Sequence, residues 1–240
     1  MGIVRSTKVS DTVQVYTRDG DKLFQFGSKG RGDGQLKAPS GICTDSSGNI
    51  FVSNMKNNRI DMFTSRGDFV RTVVRTESPC GLALNVLNGN IAVVTKGNTI
   101  FVFLPDGSVY NRFQLVGGVD VSFVTFNNEG NILFTDAMRN TVHEYTRDGD
   151  KLFQFGSKGR GEGQLRSPAR ICTDSSGNIF VSNVRNKRFD MFTSRGEFVR
   201  TVFSTKSPVG LACGPDGQLV VTDARSHTVT IIPRQLVLSG

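Results

Sequence analysis

A long internal repeat constrains this chain more than any other feature of its sequence. Residues 17–73 recur as residues 146–202, and 47 of the 57 aligned residues are identical. A shorter period lies inside the long one, because segments that begin at Pro39, Pro79, Pro168 and Pro208 resemble one another. A period of about 40–48 residues predicts one supersecondary unit per repeat, stacked on its neighbours to bury a shared core.

Each unit is predicted to hold four short strands. In the second unit we expect strands at residues 40–44, 49–53, 59–64 and 69–73, separated by turn-forming sequences. No helical periodicity is present. Units of four strands and about 43 residues, arranged radially, form a β-propeller. We therefore predict an all-β, six-bladed β-propeller of four-stranded antiparallel blades.

The length of the chain accommodates six such units in a single domain. We place them at residues 3–34, 35–77, 78–116, 117–163, 164–206 and 207–240. The first unit is expected to begin at its second strand, because Ile3 aligns with Ile132. Closure of the ring then requires a strand from the far end of the chain, and residues 235–239 are one candidate.

The second unit resembles an NHL repeat. The resemblance rests on residues 34–54, which read GQLKAPSGICTDSSGNIFVSN, and on the preceding residues 26–35, FGSKGRGDGQ, which resemble the blade linker of TRIM-NHL proteins. The similarity covers essentially the whole chain and is strongest in the second and fifth units. Trp is absent, which argues against a WD40 propeller.

This resemblance implies a recognition function. Propellers of this family often follow a RING domain and a coiled coil in ubiquitin ligases. Several bind single-stranded RNA or RNA stem-loops on one electropositive face and repress translation, and others bind only proteins. The resemblance therefore implies an RNA-binding propeller of a post-transcriptional regulator. The alternative is a protein-interaction propeller that recruits substrates to a ubiquitin ligase or serves a scaffold.

The charge pattern favours a polyanionic partner. The chain carries 29 Lys and Arg against 21 Asp and Glu, a net charge of +8. In a four-stranded meander, the loop that enters strand one and the loop that leaves strand two lie at the same end of a blade. We assign 18 of the cations but only six of the acids to that face. The alternative interpretation is that these cations are ordinary solvated loop residues.

The predicted RNA contacts are polar residues of that face. Asn58 lies beside cations and can hydrogen-bond the edge of a base. Arg170, which takes the place of Gly41, can stack on a base or clamp a phosphate. The alternative is that Arg170 pairs with Asp120 or Asp136. Phe residues such as Phe51 and Phe63 are expected to pack between blades, which favours recognition of phosphate or shape over a long stacked strand. The predicted contacts are Lys29, Arg31, Lys56, Asn58, Arg59, Arg75, Lys96, Arg139, Lys158, Arg160, Arg170, Arg185, Lys187, Arg188 and Arg225, with Lys8, Lys37, Arg166 and Lys206 on the same face.

Catalytic and metal-binding interpretations find little support in the sequence. A zinc lyase on a related propeller needs about three His ligands, and the chain has only His143 and His227. We therefore predict no catalytic residue, metal or cofactor, and any ligase activity is expected outside this chain. Four dispersed cysteines without a CxxC pair indicate a reduced, cytoplasmic protein. A monomeric domain without membrane association is expected.

Overall fold

The computed structural model describes residues 3–7, 11–17, 19–214 and 216–238. The chain divides into two compact units, Met1–Leu115 (unit 1) and Val116–Gly240 (unit 2). Within the described residues, both units consist almost entirely of short antiparallel strands that follow one another in chain order. No helix in this described part is both long and apolar enough to cross a membrane.

Unit 1 contains a three-stranded sheet, a two-stranded parallel pair and two four-stranded sheets. The three-stranded sheet comprises β1 (Ile3–Thr7), β2 (Thr12–Tyr16) and β3 (Lys22–Phe26), and the parallel pair comprises β4 (Ser28–Lys29) and β5 (Gln35–Leu36). The next sheet comprises β6 (Pro39–Thr44), β7 (Ile50–Asn54), β8 (Arg59–Phe63) and β9 (Phe69–Arg75). The last comprises β10 (Pro79–Leu84), β11 (Ile91–Thr95), β12 (Thr99–Phe103) and β13 (Val109–Gln114). A 3₁₀ turn, Met55–Asn57, joins β7 to β8.

Unit 2 repeats these elements in a different order and ends in a short helix. Its first sheet comprises β14 (Val124–Phe126), β15 (Ile132–Asp136), β16 (Thr141–Tyr145) and β17 (Lys151–Phe155), followed by the parallel pair β18 (Ser157–Lys158) and β19 (Gln164–Leu165). The second comprises β20 (Pro168–Thr173), β21 (Ile179–Asn183), β22 (Arg188–Phe192) and β23 (Phe198–Ser204). The third comprises β24 (Pro208–Cys213), β25 (Leu219–Asp223) and β26 (Thr228–Ile232), and α1 (Arg234–Leu238) follows. A second 3₁₀ turn, Val184–Asn186, joins β21 to β22.

The core of each unit lies between consecutive sheets. In unit 1, Val13 and Phe63 belong to the cluster between the first two sheets. Phe51 and Val93 belong to the cluster between the second and third sheets. The continuous apolar run in β7 supplies both clusters because alternate side chains of a strand point to opposite faces. Phe51 and Phe63 therefore pack between blades, as predicted.

The structure confirms an all-β propeller with antiparallel four-stranded blades and modifies two details. The described residues form four four-stranded sheets and two three-stranded sheets, so six complete blades are not confirmed. β1 matches β15, the second strand of its sheet, as the alignment of Ile3 with Ile132 predicts. The candidate closing strand at residues 235–239 is wrong, because the backbone of Arg234–Leu238 is helical; residue 239 lies outside the described residues. Val237 of this helix is buried in the core beside β25 and β26, whereas Leu236 is exposed.

Candidate nucleic-acid interface

Two matched turns carry exposed polar side chains, one turn in each unit. Lys56 and Asn58 are exposed at the turn between β7 and β8. Arg185 and Lys187 are exposed at the turn between β21 and β22. Asn58 and Lys187 both adopt the left-handed conformation, with φ of 55° and 57°. Asn enters this region more readily than Lys, so the second turn is the more strained of the two.

Arg59 and Arg188 hold the glycine-rich linkers in place. The Arg59 Nε lies 2.8 Å from Asp61 Oδ2, and its Nη atoms donate to the carbonyls of Arg31 and Gly32 at 3.0 and 2.6 Å. Only 6% of its side chain is exposed. Arg188 makes the same set of contacts in unit 2, with 17% of its side chain exposed. These guanidinium groups are already bonded within the protein, so neither residue belongs to the exposed cationic surface.

A buried carboxylate completes each network. Asp61 accepts hydrogen bonds from Asn54 Nδ2 and Thr72 Oγ1, both at 2.8 Å. Asp190 is bonded in the same way in unit 2. Both carboxylates are fully buried, so they require this full set of partners.

The linker cations lie beside the turn cations. In unit 1, Asn57 Nδ2 donates to the carbonyl of Gly30 at 2.9 Å, which joins the turn to the linker. In unit 2, Asn186 makes the same bond to Gly159. The linkers themselves are folded around a glutamine, since the Gly32 amide donates to Gln35 Oε1 at 2.9 Å. The structure thus brings together exposed cations that are far apart in sequence, Lys29, Arg31 and Lys56 in unit 1 and Lys158, Arg160, Arg185 and Lys187 in unit 2.

Unit 1 also contains a basic cleft of about 500 Å³. Arg75, Lys96 and Arg112 line it, together with one acid, Glu77, and the half-buried ring of Phe101. Within the part of the chain that the structure describes, none of the three cations forms a salt bridge. The cleft is therefore electropositive, and its cations have free donors for an anionic ligand.

Asn58 connects this cleft to the exposed turn. Its carbonyl accepts from the Thr76 amide at 3.1 Å, and its Oδ1 accepts from the Ser78 amide at 2.9 Å. The Ser78 carbonyl in turn accepts from the Lys96 amide at 3.2 Å. A chain of direct contacts therefore runs from linker to turn to cleft. We call its exposed cations the basic path of unit 1: Lys29, Arg31, Lys56, Arg75, Lys96 and Arg112.

In unit 2 the corresponding region is organised around Asp223. The Thr205 amide bonds the Lys187 carbonyl at 2.9 Å, and the Thr205 hydroxyl donates to Asp223. That hydroxyl bond, with backbone amide bonds, lowers the pKa of Asp223 below its usual value. Arg225 and Lys206 are exposed nearby, and the Arg225 amide donates to Asp223 Oδ1 at 2.6 Å. The basic patch of unit 2 therefore comprises the four linker and turn cations with Lys206 and Arg225.

Arg139 and Arg170 differ from the exposed cations. Arg139 lies 3.3 Å from Asp136 Oδ2 and also donates to the Gly117 carbonyl, so its charge is largely compensated. The Arg170 guanidinium lies 3.8 Å from the centre of the Phe123 ring, and burial lowers its pKa to about 10. Among the described residues it forms no salt bridge with an acid. One of its faces is already covered by an aromatic ring, so stacking on a base through that face is blocked. Lys8, also predicted on this surface, lies outside the described residues.

The sequence prediction missed part of the cleft. Arg112 was not assigned to the basic face because it lies within a strand, β13, rather than in a loop. The register pairs it with Phe101 of β12, which places both at the mouth of the cleft. A cation on an outer strand is ordinarily a solvated edge residue. Only the packing of two sheets reveals that this one borders a cavity.

Comparisons with known proteins find relatives of the NHL type. No protein-family model matches it. Human "E3 ubiquitin-protein ligase TRIM32" is 25% identical over 87% of this chain. Human "NHL-repeat-containing protein 4" is 34% identical over 27% of the chain and 53% of that protein. "Protein lin-41" of Caenorhabditis elegans is 42% identical over 20% of the chain and 4% of that protein. The chain spans less than half of the length of human TRIM32, 44%.

Solved structures support the fold. A catalytically inactive virginiamycin B lyase from Staphylococcus aureus matches 97% of this chain and 83% of its own, with a TM-score of 0.69 and 17% identity. A chain from a nidogen/laminin complex matches 98% of this chain and 90% of its own, with a TM-score of 0.74 and 17% identity. The same fold therefore occurs in an enzyme and in a protein complex, and fold likeness alone carries no function.

The antiparallel four-stranded sheets and the solved structures of the same fold define an all-β propeller. Its homologues TRIM32, NHL-repeat-containing protein 4 and lin-41 are NHL-type proteins, so the resemblance recognised from the sequence is confirmed.

Proposed function

We propose that this chain is the RNA-binding propeller of a TRIM-NHL-like post-transcriptional regulator. The observation that carries the proposal is the basic path of unit 1, in which six exposed cations follow one connected surface and end in the cleft. Free cations at one surface are the electrostatic requirement for phosphate contact, and Phe101 offers a ring edge or face to a single base. The cleft fits a short single strand or a stem-loop better than a long stacked strand, because it has one aromatic residue.

The proposal also covers further contact regions, the blade count and the state of the domain. The basic patch of unit 2 is proposed as a second contact region, and Arg139 as a weaker contact because of its ion pair. Catalysis is not part of the proposed role, and ligase activity is assigned to a domain outside this chain. The three-stranded sheets are proposed as two incomplete blades, which gives six in all. We propose a monomeric, cytoplasmic domain without a bound cofactor.

The decisive experiment measures RNA affinity against salt for two charge-matched variants. Arg75→Gln with Lys96→Gln removes two cations of the cleft. Arg66→Gln with Arg195→Gln removes two exposed cations from turns outside the basic path and the basic patch. A random-sequence single-stranded RNA is used as the probe in fluorescence anisotropy.

The cleft variant is expected to bind the RNA less tightly and to show a shallower salt dependence. Each lost phosphate contact should reduce the magnitude of the slope of log affinity against log salt by about 0.7. The turn variant should keep the slope of the unaltered protein. Equal losses in the two variants would show that net charge, not the cleft, drives binding, and the proposal would fail.

A protein-interaction propeller is the second candidate, and one exposed side chain favours it. Met138 is 68% exposed in the turn after β15, and exposed methionines adapt to varied partners. Met55, in the turn after β7, is half-buried, and its sulfur lies 4.0 Å from Cys80 Sγ. Salt-resistant capture of a protein partner that is lost on Met138→Ala, together with an absence of RNA binding, would favour this candidate.

A further inference from the structure

Two cysteines of adjacent sheets meet in unit 2. Cys172 of β20 and Cys213 of β24 bring their Sγ atoms to 2.7 Å. A disulfide bond requires about 2.05 Å, so closing the remaining gap takes a movement of well under one ångström. Both residues are half-buried rather than sealed in the core. The wide spacing of the cysteines in the sequence concealed this pair, because the two strands belong to different repeats.

The corresponding position in unit 1 carries no such pair. Cys43 matches Cys172, but Leu84 stands where Cys213 does, and both Cys43 and Leu84 pack against the core between the second and third sheets. Burial and, secondarily, the nearby Asp45 raise the pKa of Cys43 to about 12. The chain therefore contains an isolated thiol in the same strand position, which serves as an internal control.

The joint that holds the cysteine pair is more open than its counterpart. Leu82 and Ala83 of β10 are 7% exposed, whereas Leu211 of β24 is half-buried and Ala212 is exposed. Among the substitutions that accompany this difference, Arg170 occupies the place of Gly41. A Cβ on Gly41 would lie 2.7 Å from the Cys80 carbonyl oxygen, so only glycine allows the closer joint of unit 1. Cys43, Cys172 and Cys213 are all half-buried, so the close approach of two sulfurs, and not exposure, distinguishes the pair from Cys43.

We propose that Cys172 and Cys213 form a reversible disulfide that links β20 to β24 when the protein meets a peroxide. The Cys172 thiolate attacks one oxygen of hydrogen peroxide, the O–O bond breaks, and hydroxide leaves, which gives a sulfenic acid on Cys172. The Cys213 sulfur then attacks that sulfur, the S–O bond breaks, and the hydroxyl group leaves with the Cys213 proton as water. The peroxide is reduced by two electrons and the two thiols are oxidised by two, so the step balances.

The order of attack follows from the surroundings of the two sulfurs. Burial, with the hydrogen bond to Cys172, raises the pKa of the Cys213 thiol well above its ordinary value. Cys213 therefore has little thiolate with which to attack a peroxide, and we assign to it the resolving step. Intracellular disulfides are usually transient and redox-sensing, which agrees with a bond that glutathione or dithiothreitol reverses. The proposal does not depend on RNA binding.

The test treats the full chain with hydrogen peroxide and maps its thiols by mass spectrometry after alkylation. Two of the four thiols are expected to disappear, a peptide linked through Cys172 and Cys213 should appear, and dithiothreitol should restore both. Because the link closes a loop of about 40 residues in the unfolded chain, the melting temperature should rise by about 5–10 °C.

Single-cysteine variants make the outcome decisive. Cys43→Ser should behave as the unaltered protein. Cys213→Ser should leave a sulfenic acid on Cys172 that dimedone traps, and Cys172→Ser should remove the link without such a product. The proposal is overturned if oxidation leaves Cys172 and Cys213 unlinked, links either one to another cysteine, or forms the linked peptide without any rise in melting temperature.

Discussion

Arg59 and Arg188 show that a cation in a loop-like sequence can be structural. Both belong to a motif that also presents exposed cations, yet their guanidinium groups tie a linker that lies 27 or 28 residues earlier in the chain. A charged group buried with a carboxylate contributes little when compared with an apolar pair. It becomes costly when one partner is removed.

Replacing Arg59 with Met should therefore destabilise the protein more than replacing Arg188 with Met. Arg59→Met leaves Asp61 buried without its cation and releases the carbonyls of the linker, at a cost of about 3–5 kcal/mol. Arg188 is more exposed, so water can partly replace it and the cost should be smaller. Urea unfolding of the two variants gives the comparison. Equal, small losses would contradict a structural role for the buried guanidinium.

We expect His143 to make the stability of the protein depend on pH. It is buried against the Phe134 ring at 5.2 Å between centroids, and its Nε2 lies 2.9 Å from Thr141 Oγ1. Burial is the main cause that lowers its pKa, and the positive charges of Lys151 and Arg139 act in the same direction, against Asp136. The unfolded chain therefore binds a proton more readily than the folded protein just below the ordinary His pKa of about 6.5.

The expected outcome is a melting temperature that is highest above about pH 6.5 and falls as the pH drops towards 5. His143→Gln should flatten this part of the profile, since Gln14 occupies the matching position in unit 1. His227→Gln is the control, because His227 is exposed. Other titrating groups, including the buried Glu144, are common to all three proteins. Identical pH profiles for the His143 variant and the unaltered protein would refute this source of pH dependence.

Among the structural elements, the joint between neighbouring sheets differs between the two units. Strand β6 packs tightly on β10 through Gly41, whereas β20 carries Arg170 at that position. The two joints also differ at Ser40/Ala169, Cys80/Val209 and Leu84/Cys213, so single substitutions are needed to isolate the contribution of one side chain.

Gly41→Ala should destabilise the protein by about 1–3 kcal/mol, the usual cost of overpacking. The added Cβ would lie 2.7 Å from one backbone oxygen and 2.9 Å from the Leu82 amide nitrogen, and neither can move without shifting β10. Arg170→Ala should be close to neutral, because the lost contact with Phe123 is offset by removal of a buried, unpaired charge. Thermal unfolding of both variants measures the difference. A neutral Gly41→Ala would show that the joint is not close-packed.

The strands of this fold could be predicted from the sequence where turn residues and apolar runs determine where a strand begins and ends. The strands expected at residues 40–44 and 69–73 are Pro39–Thr44 and Phe69–Arg75, because turn sequences and buried runs mark their ends. Residues 235–239 were misassigned, since a short apolar segment fits a strand or a helix equally well. The Cys172–Cys213 contact and the cleft beside Arg112 could not be predicted, because both depend on how separate sheets approach each other.

On the scale of the whole molecule, net charge should oppose folding while it favours a polyanion. The +8 charge is repulsive within the folded chain, and salt screens that repulsion. The melting temperature of the free protein is therefore expected to rise slightly with salt, whereas RNA affinity falls. If all six cations of the basic path contact phosphates, the slope of log affinity against log salt is about −4, or roughly a 10³-fold loss between about 50 and 300 mM KCl.

Both expectations are checked across that salt range. Calorimetry of the free protein measures the melting temperature, and fluorescence anisotropy with single-stranded RNA measures the affinity. A flat affinity profile would remove the phosphate contacts from the proposed function. A melting temperature that falls with salt would show that attractive ion pairs outweigh the repulsion.

The duplicated networks around Asp61 and Asp190 have one more consequence. The same carboxylate, the same asparagine and the same guanidinium recur in two settings of a single polypeptide, and only the neighbours differ. A given substitution can thus be introduced in either copy at identical temperature, buffer and purity. The difference between the two changes in stability then reports the effect of the surroundings on one and the same substitution.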